Sequence, residues 1–123
     1  MKTFCICSHC GNLVCFIHNA GPSVICCGEE MSVLAPNTTD AAAEKHVPVA
    51  VRKGNMLTVS VGSVPHPMTE AHHIAWIVVA DDDRTQRVAL PNTQEPTVDF
   101  CVGEVPVTVY AYCNLHGLWE AQL

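Results

Sequence analysis

The segment Cys113-Asn114-Leu115-His116 offers a thiolate and an imidazole three positions apart, and three widely spaced histidines, His46, His66 and His72, precede it. Together these residues supply four nitrogens and one sulfur. A structural zinc site closes at four ligands, whereas five donors of this kind suit a six-coordinate iron that keeps one position open for a substrate. Any one of these histidines alone reads more simply as a hydrogen-bonded core or surface residue. As a set they predict a catalytic metal centre.

A second donor set lies near the N-terminus. Cys7-Ser8-His9-Cys10 is a C-x2-C knuckle, and the adjacent pair Cys26-Cys27 follows. The turn of such a knuckle points backbone amides at the sulfurs, and Gly11 directly after it permits the tight backbone. Four thiolates close one tetrahedral site. Neighbouring cysteines reach a single ion only with a strained bite, so a distorted tetrahedron is expected, although a plain zinc ribbon would use the same four sulfurs. Cys5 and Cys15 are left over as free or buried thiols, with Cys5-Ile6-Cys7 offering a competing C-x-C bite. His9 and His18 are expected at the surface.

These donors need elements to hold them. The chain has 123 residues, 49% of them hydrophobic, enough for one ordinary domain or for a small domain with a compact partner. Six of the eight cysteines fall in the first 27 residues, so the composition divides. Residues 1–36 are too few to fold on apolar burial and require a metal staple, and residues 37–123 form the larger domain. Between them, Pro36-Asn37-Thr38-Thr39-Asp40 reads as a linker. Ala41 to Lys45 then predicts a single helical turn capped by Thr39 or Asp40.

From His46 onward the pattern has period two. Leu57, Val59 and Val61 share one face of a strand over 55–61. Ile74, Trp76 and Val78 share one face over 73–79, and Val98, Phe100 and Val102 do so over 97–102. Residues 86–90 and 105–112 add further strands, and Asp81-Asp82-Asp83 marks a hairpin tip. With prolines at 65, 67, 91, 96 and 106 as punctuation, the fold class is mainly β: an immunoglobulin-like antiparallel sandwich of seven strands following the metal-stapled segment.

On this frame the donors take defined places. His46 sits at a loop-to-strand junction, because Val47 precedes Pro48 and is pushed out of the helical region. His66 is fixed between Pro65 and Pro67. His72 has the phase of Ile74 and Trp76, and His73 does not. Cys113 continues the face of Val107, Val109 and Ala111, and Gly117 follows His116.

The formal charge of -6, from 12 acidic and 6 basic residues, excludes nucleic acid and an anionic membrane surface as partners. An anionic substrate needs local help, and Lys45, Arg52 and Lys53 bracket His46. No apolar run reaches the length of a membrane span, and the start lacks the apolar stretch of a signal peptide, so the expected location is cytoplasmic. In a reducing compartment the cysteines serve metal rather than disulfides.

The motifs Cys7-x2-Cys10-x15-Cys26-Cys27, Glu44-Lys45-His46-Val47-Pro48-Val49, Gly62-Ser63-Val64-x-His66-Pro67-Met68, His72-x-Ile74-x-Trp76 and Cys113-Asn114-Leu115-His116-Gly117-Leu118-Trp119 stand in this order. From about residue 4 to residue 120 the chain resembles the desulfoferrodoxin family of two-iron superoxide reductases. Cys5, Cys15 and His73 depart from the pattern. The resemblance implies a desulforedoxin-like N-terminal domain with Fe(Cys)4 at Cys7, Cys10, Cys26 and Cys27. It implies Fe(His)4Cys at His46, His66, His72, His116 and Cys113, with sulfur axial and the opposite position open.

The implied reaction adds one electron and two protons to superoxide and yields hydrogen peroxide. Lys45 then draws in the anion, and Glu44 takes the sixth position in the oxidised resting state; without His46 beside them the two would read as a solvated charged pair. An electron donor such as rubredoxin and a homodimer are implied as well. Two other readings stay open. A small electron-transfer protein would have no open coordination position, and a zinc-stapled interaction module would be colourless and inert towards superoxide.

Overall fold

The structure is a computed structural model that describes residues 2–123. The chain divides between Ala35 and Pro36 into two compact units.

The first unit has five short strands: β1 (Phe4–Ile6), β2 (Leu13–Cys15), β3 (Ile25–Cys26), β4 (Glu29–Glu30) and β5 (Ser32–Val33). Antiparallel pairing gives one sheet in the order β2-β1-β5 and a two-stranded ribbon of β3 and β4. Alternation along and beyond β1 turns Cys5 and Cys7 inward, where with Met31 they make a minimal core packed by Val14, Phe16 and Cys26. So little apolar burial does not hold a unit of this size, which makes the clustered thiols structural as well. Cys5 is the buried member of the two spare thiols, Cys15 is exposed, and His9 and His18 lie on the surface.

The second unit contains α1 (Ala43–His46) and seven strands: β6 (Pro48–Lys53), β7 (Met56–Val61), β8 (Ile74–Ala80), β9 (Thr85–Ala89), β10 (Thr97–Cys101), β11 (Thr108–Cys113) and β12 (Gly117–Gln122). They form two antiparallel sheets, β10-β7-β6 and β12-β11-β8-β9. The chain is therefore mainly β, with the seven-stranded sandwich read from its alternation. Leu57, Val59 and Val61 from β7 and Val109, Ala111 and Cys113 from β11 meet in one core with Phe100, Val102 and Val107. At the β8–β9 hairpin, Asp81 Oδ1 accepts the N–H groups of Asp83 at 2.8 Å and Arg84 at 2.7 Å.

Three expectations need correction. Ile74, Trp76 and Val78 do not share a face: Cys113 pairs with Ile74 while Tyr112 pairs with Trp76, so a bulge at Ala75 resets the phase. Ile74, Ile77 and Val79 consequently enter the core, and Trp76 stacks on Tyr112 on the other side at 5.5 Å. The helical turn covers Ala43–His46 instead of 41–45, and Ala42 occupies its N-cap with no side-chain cap bond, so neither Thr39 nor Asp40 caps it. Gly117–Gln122 forms a strand, β12, that the sequence reading left out. Among the described residues no helix is long and apolar enough to cross a membrane.

Candidate metal centres

His46 closes α1, and Val47 at the C-cap is extended, as a residue before proline requires. His66 lies in the loop after β7, anchored by its backbone N–H to Val61 O at 3.0 Å. His72 sits in the turn leading into β8. Cys113 ends β11, and the tight turn to β12 returns His116, with Cys113 pairing Gly117 at φ 77°. The donor atoms of His46, His66, His72, Cys113 and His116 all lie within 4.8 Å of one another.

The four rings form a square. Neighbouring centroids are 4.6 Å apart for His46–His66 and His66–His72, 5.0 Å for His72–His116 and 4.9 Å for His116–His46, each pair close to perpendicular. His46 and His72 face one another across it at 6.4 Å, near the diagonal of a square with those sides. Cys113 is fully buried on the core face of β11, so its sulfur approaches the rings from the interior of the sandwich. The His116 N–H points at that sulfur from 3.4 Å.

Hydrogen bonding fixes which nitrogens turn inward. His46 Nδ1 donates to Ala42 O and His66 Nδ1 to Pro67 O, both at 2.7 Å, since a carbonyl only accepts. Their Nε2 atoms are then bare lone pairs, yet they face each other at 3.1 Å, and His46 Nε2 also meets His116 Nδ1 at 3.1 Å. His72 Nε2 is buried with no partner at all. Lone pairs converging at such distances repel unless a cation lies between them. Protonation does not supply that cation at neutral pH, because burial holds the His66 pKa down at about 4 and lowers those of His46 and His72 as well. The donor set therefore fits a metal, and four imidazoles with one thiolate fit iron.

Glu44 and Lys45 are exposed on α1, directly before His46. Burial is the main cause of the lowered pKa values of His46 and His72, and the nearby Lys45 charge acts in the same direction on both. Arg52 and Lys53 do not share this role. They stand at the far end of β6, roughly 13 Å along the strand from Pro48, and the Arg52 guanidinium is committed to Gly103 O at 2.6 Å and Val105 O at 2.9 Å. Of the three cations expected around His46, the structure keeps only Lys45 beside the site.

Two further residues shape the centre, and the sequence reading assigned them no role. Trp119 stacks on His46 at 4.8 Å and donates its Nε1–H to His116 O at 3.1 Å, bracing two corners of the square. Gly62 follows β7 where a side chain has no room: a Cβ there would lie 2.6 Å from Glu44 O. A lone glycine at the end of an apolar strand was the available signal of such a close approach.

In the first unit, the sulfurs of Cys7, Cys10, Cys26 and Cys27 also lie within 4.8 Å of one another. Amide N–H groups point at them, from Cys10 to Cys7 Sγ and from Asn12 to Cys10 Sγ, each at 3.5 Å. The adjacent pair is accommodated by a left-handed backbone at Cys27, φ 53°, followed by Gly28 at 78°. Crowding divides the thiols: the Cys10 and His9 amides pull Cys7 down to about 6, while the neighbouring sulfurs push Cys27 up to about 12. Four thiolates do not coexist here without a cation, so this set fits a metal too. His9 Nε2 reaches Glu29 at 3.1 Å and ties the knuckle to the β3–β4 ribbon.

Comparison with known proteins shows the family. Residues 38–122 match the desulfoferrodoxin family model. A desulfoferrodoxin homolog of Archaeoglobus fulgidus is 46% identical over 94% of this chain and 92% of its own. The superoxide reductase of Treponema pallidum superposes with a TM-score of 0.80 at 36% identity, covering 98% of each chain. The one-iron superoxide reductase of Giardia intestinalis covers 65% of this chain and 97% of its own, with 33% identity and a TM-score of 0.57. One thiolate set and one imidazole-thiolate set in a single chain match the two-iron architecture, and the extent of the sequence match leaves no other assignment: the chain belongs to the desulfoferrodoxin family.

Proposed function

We propose that this protein is a superoxide reductase, which adds one electron and two protons to superoxide and releases hydrogen peroxide without dismutation. The observation that carries this reading is the square of imidazoles with a single buried thiolate on one side, because five such donors would hold an iron and leave room for one more ligand. Iron held there supplies the electron and the room for that ligand. His46, His66 and His72 serve through Nε2 and His116 through Nδ1. Cys113 would lend negative charge to the ion, moderated by the His116 N–H that points at its sulfur from 3.4 Å.

Lys45 raises the local concentration of the anionic substrate over an acidic protein and offsets the charge that builds as peroxide forms. Glu44, its neighbour, would be the further ligand to the oxidised iron when no substrate is bound. The cysteine set holds a second iron. Its first task is to staple the desulforedoxin-like domain, residues 1–36, and its second is to relay electrons to the catalytic domain, residues 37–123. Support for this division is the contact boundary between Ala35 and Pro36 and the meagre core of the smaller unit. A small reducing partner such as rubredoxin delivers the electron. The working form is a homodimer in the cytoplasm, where eight unpaired cysteines stay reduced.

The deciding experiment feeds superoxide to the protein in the presence of a reductant and counts peroxide. Reduction yields one peroxide for every superoxide consumed; a yield of one for every two identifies dismutation and overturns the proposal. Cys10→Ser separates staple from relay, since a folded variant with undiminished donor-driven turnover leaves the relay without support. Light scattering on the purified protein checks the dimer.

A further inference from the structure

The four imidazoles are not oriented in the same way. His46 and His66 are locked through their own rings by Ala42 O and Pro67 O, and His116 is braced by the Trp119 indole and the Cys113 turn. For His72 no ring hydrogen bond is found among the described residues, and its Nε2 is buried without a partner. Its backbone is held instead. Thr69 Oγ1 accepts the His72 N–H at 3.0 Å and donates to His72 O at 3.1 Å, and the Thr69 N–H reaches the same oxygen at 2.9 Å. Asn114 spans the residue: Nδ2 donates to Ala71 O at 3.0 Å, Oδ1 accepts the His73 N–H at 2.9 Å, and its own N–H reaches His73 O at 3.2 Å.

We propose that Asn114 and Thr69 are positioning residues that hold His72 in the imidazole square, with Asn114 latching the His72 turn to the turn that carries Cys113 and His116. The proposal rests on the metal-centre reading above. Asn114 follows Cys113 directly, so its fork ties three of the five donors, Cys113, His116 and His72, into one rigid piece. Metal ligands tolerate errors of only about 0.2 Å, and a ring without its own hydrogen bond takes that precision from its main chain. The latch needs a donor and an acceptor side by side at residue 114. Aspartate keeps the acceptor for the His73 N–H and turns an oxygen on Ala71 O, and alanine keeps neither. At residue 69 a hydroxyl is needed, so serine suffices and valine does not.

The test uses the full chain loaded with iron. Two ferric centres with different donor sets have distinct electron paramagnetic resonance signals, and the cysteine centre serves as an internal control. Asn114→Ala and Thr69→Val are expected to broaden the signal of the imidazole centre into several species and to lower its iron affinity, measured by chelator competition, by about 10- to 100-fold. The cysteine centre keeps its signal, and Thr69→Ser restores a single species. Loss of a merely structural contact lowers the melting temperature and leaves the signal sharp, so a folded Asn114→Ala with unchanged signal and iron affinity overturns the proposal. If Asn114→Ala does not fold, Asn114→Asp decides on the same two measurements. An unsubstituted protein without any imidazole-centre signal overturns the metal-centre reading itself, and the latch with it.

Discussion

Gly62→Ala is expected to cripple the catalytic unit without touching a single donor atom. A Cβ at residue 62 would stand 2.6 Å from Glu44 O, 3.0 Å from Val47 O and 3.1 Å from the Lys45 carbonyl carbon, all of them backbone. No side chain can swing aside to relieve these contacts. Separations of at least about 3.4 Å between unbonded carbon and oxygen are needed, so α1 and the loop after β7 must part by nearly 1 Å. That movement strains the Val64 N–H bond to Glu44 O, now 2.9 Å, and carries His46 away from His66, whose Nε2 atoms stand 3.1 Å apart. Overpacking of this kind costs about 1–3 kcal/mol, roughly 4–8 °C in melting temperature for each kcal/mol in a unit of this size. A displacement near 1 Å at a reacting centre costs about 100-fold in rate. Pulse radiolysis on the iron-loaded protein measures the rate of superoxide consumption, and calorimetry measures the melting temperature. A variant with an unchanged rate would refute the claim that Gly62 sets the placement of Glu44, Lys45 and His46.

Lys45→Ala is expected to slow superoxide capture by about tenfold or more and to flatten its salt dependence, with both irons still bound; pulse radiolysis at two ionic strengths checks both. Cys113→Ser is expected to remove the thiolate-to-iron charge-transfer absorption of the imidazole-thiolate centre together with activity, and retention of the band would mean that the sulfur comes from elsewhere. The metal-free protein is expected to lose stability on acidification. Burial lowers the folded pKa of His66 from 6.5 to about 4, so the unfolded chain binds the proton more readily, and stability present above pH 6.5 is lost as the pH falls towards 4. Urea titrations of the metal-free chain between these pH values test the sign, and constant or rising stability would contradict it.

Much of the frame was legible because burial leaves a period-two record. Leu57, Val59 and Val61 alternate with Thr58 and Ser60, and Val107, Val109 and Ala111 lead in phase to Cys113, so the face bearing the sulfur followed from the strand itself. The failures have local causes. The bulge at Ala75 inserts one unpaired residue between Ile74 and Trp76, and a phase counted from either side of it is wrong on the other. β12 escaped notice because Gly117-Leu118-Trp119-Glu120-Ala121-Gln122 mixes two buried apolar neighbours with partly exposed positions on the edge of its sheet. The cation cluster around His46 was read from sequence distance, and six residues of extended chain undid it.

That these five donors gather was legible in the sequence, and what orients each of them was not. All four histidines stand in loops or at element ends, and what holds them differs: Ala42 O and Pro67 O bond the rings of His46 and His66, whereas Trp119 and Asn114 bond the main chain at His116 and beside His72. Cys113 is the exception. It is the last residue of a core strand, placed by sheet register against Ile74 and by burial, so the sulfur has the least freedom of the five donors. A centre whose thiolate is fixed by sheet register and whose imidazoles are fixed by local bonds should respond unequally to damage. Loss of the Ala42 or Pro67 anchor loosens one ring, whereas any change that shifts β11 against β8 moves Cys113, the donor placed by sheet register.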